Sequence, residues 1–305
     1  MELRHVRYFL AVAEERNFTR AAAKVGIGQP PLSLQIRALE EELGCTLFRR
    51  LPHGAELTEA GVAFLPEARA LVEQAKRAMV AAGRGARGEV GRLRVGFTGS
   101  AAFDSIVPTS IRLFASRHPE VELTLDEAPT ASLLERLARN ELDAVFIRPG
   151  RSTPEGVQAH RLSDEAMVVA LPTSHPLAKA DALPLSALAR ERFVLFSRHA
   201  GPGLFDEVIV ACRSAGFEPM LGHEAPQLSS IGPLIAAGLG VSLVPASLAQ
   251  IRVAGVEYIP IAGKAPVAGL TLAIRPEESS PVVHNFLEVV LSGKAPAQSS
   301  VRRRR

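Results

Sequence analysis

The chain has 305 residues, 47% hydrophobic and 22% charged, a length for two or three domains and a balance that excludes wholesale disorder. No apolar run approaches the roughly 20 residues of a membrane helix. The opening residues enter a helical pattern with no secretion-signal core, and Cys45 and Cys212 cannot form a disulfide framework, so a cytoplasmic protein with free buried thiols is expected.

The net charge of +3 does not by itself argue for nucleic acid. Residues 1–90 carry 13 Lys and Arg against 11 Asp and Glu, residues 91–301 carry 18 against 21, and four arginines stand at 302–305. The case has to come from where the charges sit.

Leu3, Val6, Phe9, Leu10 and Ala13 recur at helical spacing and predict a first helix. Thr19 reads as the N-cap of a short second helix built on Ala21, Ala22, Ala23 and Val25. Residues 26–28 form a tight turn, and Pro30 and Pro31 suit the first turn of a third helix. That helix shows Leu32, Ile36, Leu39 and Leu43 on one face and stops at Gly44. Two short helices around a Gly-containing turn read as a helix-turn-helix. Residues 47–58, folded around Pro52, His53 and Gly54, read as a hairpin wing, so residues 1–58 form a winged helix-turn-helix.

Thr58 then caps a long helix running to about Ala82. Leu65, Ala68, Val72, Ala75, Met79 and Ala82 alternate three and four apart, the seam of a dimerising coiled coil. Residues 83–91 read as a Gly-rich hinge, making 59–90 linker helix and hinge. Beyond it the pattern is α/β. Strands are expected at 93–98, 121–127, 144–148, 167–171, 193–196, 241–244, 258–261 and 270–274. Helices are expected at 105–118, 132–140, 205–215, 228–237 and 282–291. Largely parallel sheets in two lobes follow, with a crossover near Arg161 and a return near Val267. Residues 91–294 then divide into lobe I (91–161 and 267–294) and lobe II (162–266). Residues 295–305 read as a disordered basic tail.

Gln29, Ser33, Gln35 and Arg37 fall on the non-core side of the third helix, and the wing adds Arg49, Arg50 and His53. Gln and Ser read base edges, and Arg suits phosphate or guanine. In the α/β region, ligands bind at strand carboxyl ends beside helix N-termini. Thr98, Gly99 and Ser100 end the first strand, Thr130 and Ser132 start a helix, and Arg148 is a candidate counter-charge. Phe196, Pro202 and Leu204 offer an apolar wall from the other lobe. A small carboxylate, and no other cofactor or metal, is the expected ligand. A dicarboxylate would place one anionic end at each of two helix starts.

Several motifs resemble the DNA-binding domain of LysR-type transcriptional regulators: residues 18–22 (Phe-Thr-Arg-Ala-Ala), 29–33 (Gln-Pro-Pro-Leu-Ser), 47–50 (Leu-Phe-Arg-Arg) and 57–61 (Leu-Thr-Glu-Ala-Gly). Residues 174–177 (Ser-His-Pro-Leu) and 238–245 (Gly-Leu-Gly-Val-Ser-Leu-Val-Pro) resemble the same family's effector domain. The resemblance implies a two-lobed sensor like a periplasmic binding protein, a homodimer through the linker helix, usually a tetramer, and RNA polymerase as partner. It adds Thr19, Arg20, Pro30 and Pro31 to the DNA-contacting set. Residues 96–100, Thr130, residues 146–148 and 244–247 resemble the branch responding to muconate, chloromuconate and benzoate. There Ser100 and Thr130 match carboxylate-binding positions, implying an activator of aromatic catabolism. Three positions depart from the family: Gly28 stands where Ser or Thr caps the recognition helix, Leu34 where a basic or polar residue is common, and Leu204 where some members carry an aromatic.

Enzymatic motifs are missing: no GxSxG, no phosphate-binding Gly-rich loop after a strand, and no His/Cys metal spacing. A transport protein would need an export signal. The alternative is a constitutive DNA-binding regulator whose effector-like domain serves only for oligomerisation.

Overall fold

A computed structural model describes residues 1–150 and 154–293. The expected basic tail at 295–305 lies outside the described residues. The chain divides into two compact units, Met1–Gly85 and the segment from Ala86 onward.

The first unit begins with α1 (Leu3–Glu15), α2 (Phe18–Val25) and α3 (Gln29–Leu43). Asn17, not Thr19, caps α2: its side-chain oxygen accepts the N–H groups of Thr19 and Arg20 at 2.9 and 3.0 Å. Asparagine is as good a cap as threonine, and the helix begins two residues earlier than the spacing implied. Gln29 opens α3 with Pro30 in its first turn, and Gly44 closes it at φ 69°, the left-handed conformation glycine takes without strain. Val6, Phe9, Val12, Phe18, Ala21, Leu32, Ile36 and Leu39 form the core. Leu3 and Leu43, expected on that face, are exposed at helix ends. The wing is β1 (Phe48–Leu51) paired antiparallel with β2 (Gly54–Leu57). Phe48 packs on Phe9 and Phe18, which fixes the wing to the bundle.

α4 spans Glu59–Ala86, so the helix takes in Gly83 and Gly85 and shortens the expected hinge. Thr58 Oγ1 caps it, accepting the Gly61 N–H at 3.0 Å. Ala68 is fully buried in the core of this same unit, with Leu65 and Val72 packed against it. Ala68 is therefore not available as a dimer contact, and the upper seam serves the DNA-binding domain itself. Ala75 is half-buried, while Met79 is 72% exposed and Val62, Leu71 and Val80 are also exposed.

The second unit starts with β3 (Gly91–Phe97), α5 (Ile106–Arg117), β4 (Val121–Glu127), α6 (Thr130–Ala138) and β5 (Ala144–Ile147). β3 pairs parallel with β4 on one side and β5 on the other. The chain then enters β6 (Gln158–Pro172), a 15-residue strand of which only the second half was expected. β7 (Arg192–Phe196), α7 (Pro202–Ser214), β8 (Met220–Ala225), α8 (Ile231–Ala236), β9 (Ser242–Pro245) and β10 (Val256–Pro260) follow. β11 (Val267–Ile274) returns and α9 (Pro281–Ser292) closes the described chain.

Seven strands join in the order β10-β6-β11-β5-β3-β4, with β9 also on β6. Largely parallel sheets were expected, yet β6 and β11 run antiparallel to their neighbours. These two connecting strands carry the chain out of one lobe and back, so their pairing is necessarily opposed. Their ladder ends at Ala166 opposite Val267. Beyond that pair β6 leaves β11 and pairs instead with β9 and β10.

Lobe I buries both sheet faces. Val107, Phe114, Val283 and Phe286 cover one face, and Leu133 and Leu137 of α6 cover the other. Lobe II has its own core around Val169, Phe193, Val208, Ile231 and Leu243. Cys212 is buried there, and burial pushes its thiol up to about 12. Cys45 is free but exposed, against the expectation that both would be buried.

Candidate DNA-binding face and effector cavity

The outward side of α3 is Pro30, Pro31, Leu34, Arg37 and Ala38, with Gln29 half-exposed at the first turn. Two expected base readers are placed elsewhere. Ser33 is 9% exposed, and its hydroxyl accepts the Gln29 amide N–H at 2.9 Å. Gln35 Oε1 lies 2.7 Å from His5 Nε2 of α1, which holds its side chain inward. The 3.6-residue period explains both: they flank Leu32 and Ile36, which must face the core. Thr19 and Arg20 are exposed at the start of α2, where the Arg20 guanidinium donates to Glu15 O at 2.7 Å. On the wing Arg49, Arg50 and His53 are exposed, and Arg50 lies over the Phe18 ring, 4.7 Å from its centroid. Stacking presets the guanidinium direction at little entropic loss.

The candidate effector cavity follows from strand order. β3 leads out to β4, and the chain then crosses back to β5 on the opposite side, which leaves a crevice at the carboxyl ends. Thr98, Glu127 and Arg148 stand at the ends of these three adjacent strands. A cavity of about 270 Å³ opens there. It is lined by the predicted Thr98, Gly99, Ser100, Thr130, Arg148, Phe196 and Leu204. Thr98 Oγ1 lies 3.3 Å from Ser100 Oγ. Thr130 is the first residue of α6, whose opening N–H groups have no intrahelical acceptor.

Pro202 is not in the lining: it opens α7, and its neighbours Gly201 and Leu204 face the cavity instead. A Cβ on Gly203 would sit 2.4 Å from Gly150 N, so α7 rests on the end of β5 at a distance only glycine permits. Glu127, Gln227 and Leu228 also line the cavity and were not anticipated.

Arg148 is not a free counter-charge. It is 3% exposed; its Nη2 lies 2.8 Å from Glu165 Oε2 and 3.7 Å from Asp104 Oδ2, and its Nη1 donates to Ala268 O. Glu165 also accepts the Ser247 N–H, which reaches into lobe II. Glu127 is an exposed carboxylate whose Oε1 lies against Gly99. The site offers hydroxyls and N–H groups to one anionic end, and no unpaired cation of the described residues to a second.

A winged helix-turn-helix carrying an outward basic wing, followed by a two-lobed α/β domain with a small cavity at its strand ends, is the layout of a DNA-binding regulator. Residues 3–62 match the family described as bacterial regulatory helix-turn-helix protein, lysR family, and residues 86–295 match the LysR substrate binding domain. The chain belongs to the LysR family of transcriptional regulators. It is 40% identical to the HTH-type transcriptional regulator BudR of Raoultella terrigena, across 95% of this chain and 100% of that protein. It is 35% identical to BenM of Acinetobacter baylyi, across 95% of each. Among solved structures, full-length CbnR in complex with its target DNA covers 97% of this chain and 100% of its own, at 31% identity and a TM-score of 0.82. The relatives are named as regulators, and this chain is a DNA-binding regulator rather than an enzyme. Among the described residues no helix is long and apolar enough to cross a membrane, and no acidic, His or Cys group could hold a metal.

Proposed function

We propose that this regulator controls a catabolic operon and is switched by a small carboxylate held in the cavity at the strand ends. The supporting observation is the meeting of Thr98, Ser100 and the α6 N-terminus at Thr130 in one cavity. Three hydroxyls with free helix-start N–H groups suit one carboxylate. Phe196 and Leu204 give its body an apolar wall from the other lobe. The ligand then favours one placement of the lobes about β6 and β11, and a dimer or tetramer passes this to operator DNA and RNA polymerase in the cytoplasm. On the DNA side Gln29, Pro30, Pro31 and Arg37 enter the major groove, while Thr19, Arg20, Arg49, Arg50 and His53 hold the backbone.

Calorimetry on the full chain with benzoate, muconate and related small acids tests the reading. The cognate acid binds in the parent, and Ser100→Ala and Thr130→Ala each weaken it by about 1–3 kcal/mol, the usual loss for hydrogen bonds to a charged group. Unchanged affinity in both variants places the ligand elsewhere. A protein that no acid stabilises, and whose operator occupancy no acid alters, is the constitutive regulator instead.

A further inference from the structure

We infer that Leu34 reads operator sequence by packing on thymine C5-methyl groups in the major groove. The inference rests on the family's use of this domain on DNA, and on where the side chains of α3 point. Leu34 is 64% exposed, whereas Leu32, Ile36 and Leu39 of the same helix are fully buried. It lies at the middle of the outward stripe, one turn from Pro30 and Pro31 on one side and from Arg37 and Ala38 on the other. The polar residues beside it are turned away: Ser33 receives the Gln29 amide, and Gln35 is held by His5. The centre of the groove-facing surface is therefore apolar.

A leucine has nothing to offer a phosphate or a hydrogen-bonding base edge. The thymine methyl is the one apolar group that B-DNA displays in its major groove. An apolar side chain set among Gln29 and Arg37 thus selects an A·T pair at the base step beneath it. The polar neighbours position the helix and read adjacent bases.

The test removes the methyl without touching the protein. Full-length protein selects its half-site from a pool of random duplexes. Each thymine of the selected site is then replaced in turn by deoxyuridine, and binding is read by fluorescence anisotropy. The expected result is a loss of about three- to tenfold at one or two thymines per half-site, the scale of one buried methyl. Leu34→Ala loses a similar factor on the thymine duplex and is indifferent to deoxyuridine at those positions. Leu34→Met, which keeps an apolar side chain, retains the thymine preference. The inference is overturned if no deoxyuridine weakens parental binding, or if Leu34→Ala shows the same deoxyuridine sensitivity as the parent. It is equally overturned if Leu34→Ala binds every duplex like the parent but fails to activate transcription, since Leu34 then meets a protein.

Discussion

Arg148 and Glu165 are joined at 2.8 Å where the two lobes meet, one at the end of β5 and the other on β6 opposite Ala268. Glu165 passes the connection to Ser247 of lobe II, and Asp104 stands behind Arg148. The first prediction follows from the burial of this pair. Arg148→Met leaves two acidic groups without their cation, and removing one partner of a buried ion pair costs about 3–5 kcal/mol. Thermal unfolding of Arg148→Met should fall well below that of Ser100→Ala, which removes only a hydroxyl at the cavity. A Tm equal to the parent's would show that the connection contributes nothing to holding the lobes.

Asp143 provides the pH-dependent element of lobe I. Burial by itself would raise its carboxyl. The Arg94 fork at 2.8 and 3.0 Å, the Arg94 N–H at 2.9 Å and Arg275 at 3.3 Å outweigh that and hold it below the ordinary carboxylate range. A lowered native pKa means that the unfolded chain binds the proton more tightly. The stabilisation is therefore complete above about pH 4, and is lost as pH falls through the lower native value. Asp143→Asn should lower stability by about 2–3 kcal/mol at pH 7, and flatten the dependence below pH 4 in denaturant titrations. An acid limb as steep as the parent's would sink the assignment.

The linker helix carries a different expectation from the one its spacing alone supports. Val72 packs against the core of the DNA-binding unit, so a charge there would damage that domain and confuse the reading of assembly. Met79 and Val80 are exposed on the later turns and touch no core. An apolar stretch of this kind on a lone helix needs a partner. Met79→Glu with Val80→Glu should halve the sedimenting mass at micromolar concentration, leave the far-UV signal intact and weaken operator binding strongly. Parental mass in this double variant would exclude the segment as an interface.

Much of this was legible in the sequence, for reasons that differ by element. The helix-turn-helix declared itself through Gly26, Gly44, Pro30 and the buried stripe of α3, all local signals. β4 was readable to the residue because alternation marks a strand paired along its length. The first half of β6 was not: residues 158–166 mix charge with apolar residues because their sheet neighbours, not their own pattern, decide the pairing. β8 was missed for a related reason, being an edge strand with five of six residues exposed. Missing it also hid Gln227 and Leu228, which follow it into the cavity. Ser33 and Gln35 show the limit of counting polar residues on a helix. They flank the buried Leu32 and Ile36, so the helical period already turns them from the outward stripe, and Gln29 and His5 then hold them there.

Glu127 was within reach of the carboxyl-end rule, since it ends β4 opposite Phe97, and it carries the last prediction. A carboxylate in the lining repels a second negative charge on the ligand, and the nearby cation Arg148 is already paired with Glu165. A dicarboxylate such as muconate must therefore place its far end against unfavourable charge, whereas a monocarboxylate such as benzoate does not. The parent should bind the monoanion more tightly than the dianion, by a factor that shrinks as salt screens the repulsion. Glu127→Gln removes the charge and keeps the shape. It should strengthen dianion binding about three- to tenfold at low salt, as expected for charges several ångströms apart in a partly solvated site. Monoanion binding should change less than twofold. Paired calorimetric titrations of both acids, at two salt concentrations and in both proteins, decide the matter. A parent that prefers the dianion, with no gain from Glu127→Gln, would mean that Glu127 points to solvent and the cavity takes two anionic ends.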